Sequence, residues 1–322
     1  MDKAPAPLDL DITLLRRFVA VVECGTFVAA AQKLCITQQA LSTSIAKMEE
    51  LAGVKFLDRK RGGRVALTIY GRRLLARAHS LIALSDQTLA EISQLRDARG
   101  GTVTVGIGET MTGRHVAAAI SSFHEQQPDV QICLMEGYTE DMIRLLLRGE
   151  VDFVVGGSEH EPADSNQLHF QHLFEVRDVL VVRRDHPVAD MPDVTLDELR
   201  CYPWIVPAAR GDVFRQIQLA YIRAGLQPPA RIIRSDAIIT GTWLFLDDDY
   251  IMTASPDLVD ALCSLDVVRK LPIRETTIVR HACVITRRDM RLSPPASRLL
   301  EEIVVRSEST VKRWAEGEAA PA

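Results

Sequence analysis

The stretch that decides the fold is residues 25–68, "GTFVAAAQKLCITQQALSTSIAKMEELAGVKFLDRKRGGRVALT". It contains two short apolar helix patterns separated by the break "CIT". Thr26 and Thr37 each stand before an apolar-periodic run, where a threonine hydroxyl caps a helix well. Gly25 and Gly53 stand where a left-handed residue commonly ends a helix. Two helices joined by so short a break predict a helix-turn-helix.

The second of these helices, over residues 37–51, turns Leu41, Ile45 and Met48 inward. Its outward positions carry short polar side chains, which can reach base edges in the major groove of DNA. The candidate DNA-binding residues on this helix are Thr37, Gln38, Gln39, Ser42, Thr43 and Lys47.

A basic segment follows, and "VKFLDRKRGGRVALT" predicts a β-hairpin with Gly62-Gly63 at its tip. We call this hairpin the wing. Cations on long stems suit DNA phosphates, and such contacts weaken with salt. The candidate phosphate contacts are Arg59, Lys60, Arg61 and Arg64. The alternative for residues 25–68 is a small helical subdomain with a solvated basic loop.

On either side of this stretch the pattern is also helical. Residues 1–10 predict a disordered leader, and a first helix begins after Asp11, so the N-terminal domain spans 11–68; we call it the reading head. Residues 69–98 predict one long helix with an apolar 3-4 heptad seam. We expect a second copy of the chain to bury the seam residues Leu75, Ala78, Ile82, Leu89 and Ile92. The alternative is burial against the chain's own core.

Charge is unevenly distributed along the 322 residues, whose net charge is −5. Residues 1–98 hold 14 Lys and Arg against 10 Asp and Glu, and the remainder holds 24 against 33. This segregation predicts that the N-terminal part meets a polyanion.

The six cysteines are scattered, which argues against a disulfide framework and a structural zinc site. Cys201 is interpreted as a core thiol. The sequence has no 18-residue apolar run and no signal peptide, so a cytoplasmic location is expected. No catalytic constellation, metal site or cofactor motif is present in it, and we expect no enzyme activity and no cofactor.

After a hinge at residues 99–101, strand-like runs alternate with helical patterns, which predicts an α/β domain with a mostly parallel sheet over 102–306. The elements suffice for two lobes with a cleft between them. Lobe 1 is assigned to about 102–175 and 275–306, and lobe 2 to about 176–274. Residues 307–322 are left as a C-terminal tail.

Residues 12–71 resemble the N-terminal domain of the LysR-type transcriptional regulators. Four parts of the family pattern are present in order. They are the end of the first helix, the motif Ala-Ala-x-x-Leu, the motif Thr-Gln-x-Ala-x-Ser-x-x-Ile with an acidic residue after it, and an Arg before Leu-Thr-x-x-Gly. The matching residues are Phe18, Glu23, Gly25, Phe27, Ala30, Ala31, Leu34, Thr37, Gln38, Ala40, Ser42, Ile45, Glu49, Arg59, Leu67, Thr68 and Gly71. "FHEQQPDVQ", "LLRGEVDF" and Asp185-His186-Pro187 extend the resemblance more weakly.

The resemblance implies an all-α winged helix-turn-helix, a dimerising linker helix and a two-lobed α/β effector domain with the type 2 periplasmic-binding-protein fold. It also implies dimers and tetramers that bind promoter DNA under control of a small molecule in the interlobe cleft, with RNA polymerase as a further partner. The candidate effector contacts are Thr110, Met111, Thr112, Tyr138, Gly157, Pro207, Ala208 and Arg210. The first three would open a helix whose free N–H groups suit anions.

The sequence departs from the family pattern at "FLDDDYIMTASP", where Asp247, Asp248 and Asp249 replace glycines. These are either solvated carboxylates at a helix end or ligand contacts. Three alternatives for the whole protein stay open: a ligand-binding module that uses its helix-turn-helix only for assembly, an enzyme on the same scaffold, and a redox sensor that loses its response on Cys201→Ser.

Overall fold

The structure is a computed structural model that describes residues 11–59, 63–97, 100–108, 114–157, 165–206, 212–235, 237–273 and 278–315. They form the reading head, the linker helix and two α/β lobes. Within these ranges, no helix is both long and apolar enough to cross a membrane.

The helices, with a 3-10 turn at Ser165–Gln167, are α1 (Ile12–Cys24), α2 (Phe27–Lys33), α3 (Gln38–Ala52), α4 (Ile69–Asp97), α5 (Arg114–Gln126), α6 (Thr139–Arg148), α7 (Leu196–Leu199), α8 (Asp212–Arg223), α9 (Ile238–Asp247), α10 (Pro256–Ser264) and α11 (Pro294–Ala315). The strands are β1 (Leu57–Arg59), β2 (Val65–Leu67), β3 (Thr102–Gly108), β4 (Gln131–Gly137), β5 (Phe153–Gly157), β6 (Leu168–Arg183), β7 (Trp204–Val206), β8 (Ile232–Arg234), β9 (Ile251–Ala254), β10 (Val268–Lys270) and β11 (Ile278–Arg287).

The predicted helix ends of the reading head are confirmed. The hydroxyls of Thr26 and Thr37 each accept a backbone N–H from three residues further on, at 3.2 and 3.1 Å. Gly25 and Gly53 adopt left-handed φ values of 71° and 66° as the ends of α1 and α3. Strands β1 and β2 pair antiparallel, as predicted for the wing. The local capping chemistry is therefore sufficient to define these elements.

In the first half of the linker helix α4, the chain's own core buries one predicted seam residue and partly covers two others. Ala78 is fully buried in the core of the reading head, and Leu75 and Ile82 pack against that same core. The heptad residues therefore serve the chain's own fold here, because α1 lies against α4. Leu89 and Ile92, in the second half, are 63% and 57% exposed.

The two lobes share one sheet in the order β4-β3-β5-β11-β6-β9-β7-β8, with β10 paired to β6. In lobe 1, β3 runs parallel to β4 and β5; in lobe 2, β7 runs parallel to β8 and β9. The long strand β6 pairs antiparallel with β11 and then with β9, so it passes from one lobe into the other. The prediction of a mostly parallel sheet thus describes each lobe but omits the antiparallel crossing strands.

Helices cover both faces of each lobe. Helices α5 and α11 close one face of lobe 1 and α6 closes the other, while α8 lies over one face of lobe 2 and α9 and α10 over the other. Helix α11 continues to Ala315, so the predicted boundary at residue 307 falls inside this helix and residues 307–315 are not a separate tail.

A buried carboxylate ties α3 to the wing. Glu49 on α3 is 7% exposed, and its Oε1 accepts the backbone N–H groups of Phe56 and Leu57 at 2.8 and 3.1 Å. Its Oε2 accepts from Lys55 Nζ at 2.7 Å. These bonds hold the start of the wing against the C-terminal half of α3.

We expect Glu49→Ala to lower the free energy of unfolding of the reading head by about 2–3 kcal/mol, because it leaves two buried N–H groups without an acceptor. Chemical denaturation followed by circular dichroism measures this change. Glu50→Ala, at the exposed neighbouring position, is the matched control and should change stability by less than about 0.5 kcal/mol. Equal effects of the two changes would contradict this role of Glu49.

Candidate nucleic-acid interface and ligand cleft

The outer face of α3 presents the predicted polar side chains. Gln39, Thr43 and Lys47 are exposed at spacings of four residues and so share one face of the helix. Thr37 and Gln38 are also exposed, and Ser42 is half-buried. The hydroxyl of Thr37 has a second task, because it caps the helix through Ala40.

The position of α3 is fixed from behind by α1. Arg17 Nη1 donates to Ser44 Oγ at 2.5 Å, and Ser44 Oγ donates in turn to the Ala40 carbonyl at 2.8 Å. The turn before α3 contains Cys35 at a φ of 53°, an uncommon conformation for a residue with a side chain. The inner face of α3 is buried and is hydrogen-bonded to α1. The outer face of α3 is therefore the one available to a partner.

Part of the predicted wing lies outside the described residues. Lys60, Arg61 and the side chain of Arg59 belong to that part, while Arg64 is described and exposed. Arg64 forms an isolated bridge with Thr26, the N-cap residue of α2. The wing base is therefore attached to the start of the helix-turn-helix.

The carboxyl ends of β3, β4 and β5 meet at one edge of lobe 1, and each strand ends in a glycine: Gly108, Gly137 and Gly157. Open α/β sheets bind ligands at this edge. A Cβ on Gly108 would overlap Thr139 Oγ1, so only glycine leaves room for that hydroxyl. Thr139 Oγ1 accepts the Gly157 N–H at 3.1 Å and joins the ends of two strands.

Of the predicted effector contacts, Tyr138 and Gly157 lie together at this edge. The Tyr138 hydroxyl is buried and has no hydrogen-bond partner among the described residues. Buried hydroxyls are normally paired, so this group is available to a bound molecule. The other predicted contacts lie outside the described residues: Thr110, Met111, Thr112, Pro207, Ala208 and Arg210.

A buried histidine lies where the two lobes meet. His115, on α5 of lobe 1, is 6% exposed and packs edge-on against Phe174 of β6, with ring centroids 4.6 Å apart. Its Nδ1 is 4.0 Å from Oδ2 of Asp257, on α10 of lobe 2. Neither ring nitrogen has a hydrogen-bond partner among the described residues. Burial lowers the pKa of His115 to about 4, so the ring is neutral at pH 7.

The acidic run "DDD" has a structural role at its last residue. Asp249 Oδ1 accepts from Arg183 Nη2 at 2.8 Å, and its carbonyl lies 3.3 Å from His186 Nε2. Asp247 and Asp248 are exposed. These contacts join the end of α9 to β6 and the turn after it, which favours the interpretation as helix-end carboxylates.

The interpretation of Cys201 as a core thiol is wrong, because this residue is exposed at the end of α7, with Sγ 3.2 Å from the Glu198 carbonyl. Cys283 is buried, and burial raises the pKa of its thiol to about 12. Within the described ranges, no group of three His, Cys, Asp or Glu side chains could hold a metal ion.

Sequence reasoning assigned no contact to three residues at these sites: Glu49, Thr139 and His115. Thr139 follows the predicted Tyr138 directly at a helix start, and the glycine that ends each strand signals close packing there. For His115 the sequence offers no comparable signal, because its burial depends on Asp257 and Phe174, which are distant in the chain.

We expect stability to fall as pH drops from about 6.5 to about 4, because the unfolded chain binds a proton at His115 that the folded chain does not. The loss from His115 between pH 7 and pH 5 is about 2 kcal/mol. Denaturant unfolding across this pH range measures it. His115→Phe should flatten the slope and His124→Phe, at an exposed position on the same helix, should leave it intact. An unchanged slope in His115→Phe would contradict the assignment.

Comparison with known proteins agrees with this geometry. The family profile described as "Bacterial regulatory helix-turn-helix protein, lysR family" matches residues 12–72, and "LysR substrate binding domain" matches residues 96–306. The chain is 26% identical over 284 residues to the HTH-type transcriptional regulator TdcA of Escherichia coli strain K12, covering 88% of this chain and 89% of that protein. It is 25% identical over 291 residues to the regulator PcaQ of Agrobacterium fabrum, covering 90% and 92%.

Two solved structures share the fold. ArgP from Mycobacterium tuberculosis superposes with a TM-score of 0.66 at 18% identity, covering 93% of this chain and 98% of that one. CbnR superposes with a TM-score of 0.60 at 19% identity, covering 92% and 99%. The helix-turn-helix with its wing, the linker helix and the two-lobed α/β domain follow one another in family order, and the chain belongs to the LysR family of DNA-binding transcriptional regulators.

Proposed function

We propose that α3 reads promoter DNA in the major groove while the wing holds the neighbouring phosphates. The observation that carries this proposal is the exposed face formed by Gln39, Thr43 and Lys47, with Arg64 exposed at the base of the wing. Amide and hydroxyl groups recognise base edges, and the cations of the wing supply the sequence-independent attraction. CbnR, which has the same fold, was solved with its target DNA.

The cleft at the strand ends of lobe 1 is the proposed effector site. The buried, unpaired hydroxyl of Tyr138 and the linked pair Thr139 and Gly157 support it. The proposal extends to the predicted contacts outside the described residues: Thr110, Met111, Thr112, Pro207, Ala208 and Arg210. LysG from Corynebacterium glutamicum, another structural neighbour, was solved with a bound effector, Arg.

Self-association is proposed along an exposed face of α4 that shares only Ile92 with the predicted seam. Tyr70, Leu81 and Ile92 are 55%, 40% and 57% exposed and are spaced by eleven residues, which is about three helical turns. Leu84, 51% exposed, lies on the same face. An exposed apolar face on a long helix is the surface that a second helix covers. Ala78 is left out of this face because its own chain buries it, and Leu75 and Ile82 because they pack, partly buried, against the same core.

The contacts between the reading head and lobe 1 provide a route for the response. Glu23 Oε1, on α1, is 3.5 Å from Arg148 Nε at the end of α6, and Arg77 Nη1 on α4 is 3.9 Å from Asp289 Oδ2. A ligand that favours one lobe closure shifts a population of states already present. We also propose that the protein is a cytoplasmic regulator without enzyme activity or cofactor. It forms dimers and tetramers and acts on RNA polymerase.

Two substitutions separate base reading from phosphate binding. We expect Gln39→Ala to cost about 1–3 kcal/mol on the cognate site only, and Arg59→Ala to weaken binding to all sequences and flatten the salt dependence. Fluorescence anisotropy with cognate and scrambled DNA measures both. Gln126→Ala, on α5, is the control for the first change and Arg223→Ala, on α8, for the second. Equal losses on both DNAs from Gln39→Ala would refute base reading by α3.

The association face is tested by Leu84→Glu, which places a carboxylate in the proposed helix pair. We expect the dimer dissociation constant to rise about tenfold or more, because a buried charge without a partner is costly. Sedimentation velocity over a concentration series measures this constant. Leu265→Glu, at a 71% exposed position in lobe 2, is the control. An unchanged dimer in Leu84→Glu would rule this face out.

A further inference from the structure

A crevice of about 230 Å³ lies between the linker helix α4 and lobe 1, at the opposite edge of the sheet from the ligand cleft. Its walls come from α4, the start of β3, the turn before β5 and the turn between β11 and α11. We call it the junction crevice. Sites for drug-sized ligands measure about 300–1,000 Å³, so this one suits a smaller occupant.

One side chain in its lining is incompletely hydrogen-bonded. Arg287, the last residue of β11, is 9% exposed, and its Nη1 is buried without a hydrogen-bond acceptor among the described residues. Burial lowers the pKa of this guanidinium, against the opposing charges of Asp289 and Asp152. A guanidinium presents a planar fork of donors, which matches the paired oxygens of a carboxylate or phosphate.

Each acidic residue of the lining has a contact with another group. Asp152 Oδ2 accepts the Thr104 N–H at 2.7 Å. Asp86 pairs with Arg16 of the reading head. Glu150 Oε1 lies 3.8 Å from Arg148 Nη1. None of the three carboxylates supplies the acceptor that Arg287 Nη1 lacks.

The linker helix covers this unpaired nitrogen. A Cβ built on Gly149 would lie 3.5 Å from Arg287 Nη1 and would overlap the Cβ of Ala83, a buried residue of α4. Because Gly149, with a φ of 76°, has no side chain, α4 can lie this close to the arginine. One turn along α4, Gln87 Nε2 donates to the Arg291 carbonyl at 3.2 Å, which holds the helix against the same wall.

We propose that the junction crevice is a second ligand site, for a small oxyanion such as a carboxylate or phosphate. Arg287 is the principal residue that binds this anion. The site fills as Ala83 of α4 moves away from Gly149. Occupancy then competes with the seating of the linker helix on lobe 1. The site therefore acts on the connection between the reading head and the effector domain. It depends on neither the DNA interface nor the ligand cleft.

The test is thermal unfolding of the full chain, titrated with inorganic phosphate and separately with acetate at constant ionic strength made up with chloride. We expect saturable stabilisation by at least one of them. Arg287→Lys keeps the charge and loses the fork, so it should weaken the apparent affinity about tenfold. Ala83→Gly removes the covering methyl group and should tighten it roughly threefold. Arg223→Lys, on the exposed surface of α8, should leave it unchanged.

The two anions show which group the natural ligand carries. Saturation by phosphate alone identifies a phosphate group, and saturation by acetate alone identifies a carboxylate. No saturable effect of either anion would overturn the proposal. If Arg287→Lys and Arg223→Lys have the same apparent affinity for the anion, the anion binds elsewhere. The same conclusion follows if Ala83→Gly does not raise the apparent affinity. Ala83→Gly retains Arg287, so the test does not depend on the folding of the arginine variant.

Discussion

The approach of the linker helix to lobe 1 is the constraint on which the arrangement of the protein depends. Ala83 of α4 lies directly over Gly149, where no side chain larger than hydrogen fits. The first half of the same helix is built into the reading head through Ala78 and its neighbours. One rigid helix therefore packs against both functional parts of the chain, and any change in its seating on lobe 1 changes the position of α3 relative to the lobes.

The two ends of the lobe 1 sheet carry different chemistry. At the carboxyl end, strand-terminal glycines, the Thr139 hydroxyl and the unpaired Tyr138 hydroxyl form a small polar edge at the proposed effector site. At the amino end, Arg287 and the acidic residues around it lie beneath the linker helix. Strands β3 and β5 run between these two ends.

Much of the reading head could be predicted from sequence, because its determinants are local. Threonine caps, left-handed glycines and the inward stripe of Leu41, Ile45 and Met48 lie within a few residues of the elements that they define. The heptad seam of α4 was different: its spacing showed an apolar face but not which surface covers it. The structure divides that face between the chain's own core and solvent, and the exposed face of Tyr70, Leu81 and Ile92 shares only Ile92 with it.

The remaining errors have the same physical origin. Whether Cys201, His115 and Arg287 are exposed or buried depends on elements distant in sequence. Composition and spacing therefore could not distinguish an exposed thiol from a core one, or identify a buried guanidinium nitrogen without an acceptor. The hydrogen bonds of Glu49 to the start of the wing also cross between elements.

The central claim is that the basic, winged module reads a specific DNA sequence. The most direct measurement is titration of the purified protein onto the intergenic DNA upstream of its own coding sequence and onto scrambled DNA of the same composition, at two salt concentrations. The account predicts tight binding that prefers the native sequence and weakens steeply with salt on both DNAs. Equal affinity for the two DNAs, or no binding, would contradict it and leave a two-lobed ligand-binding protein.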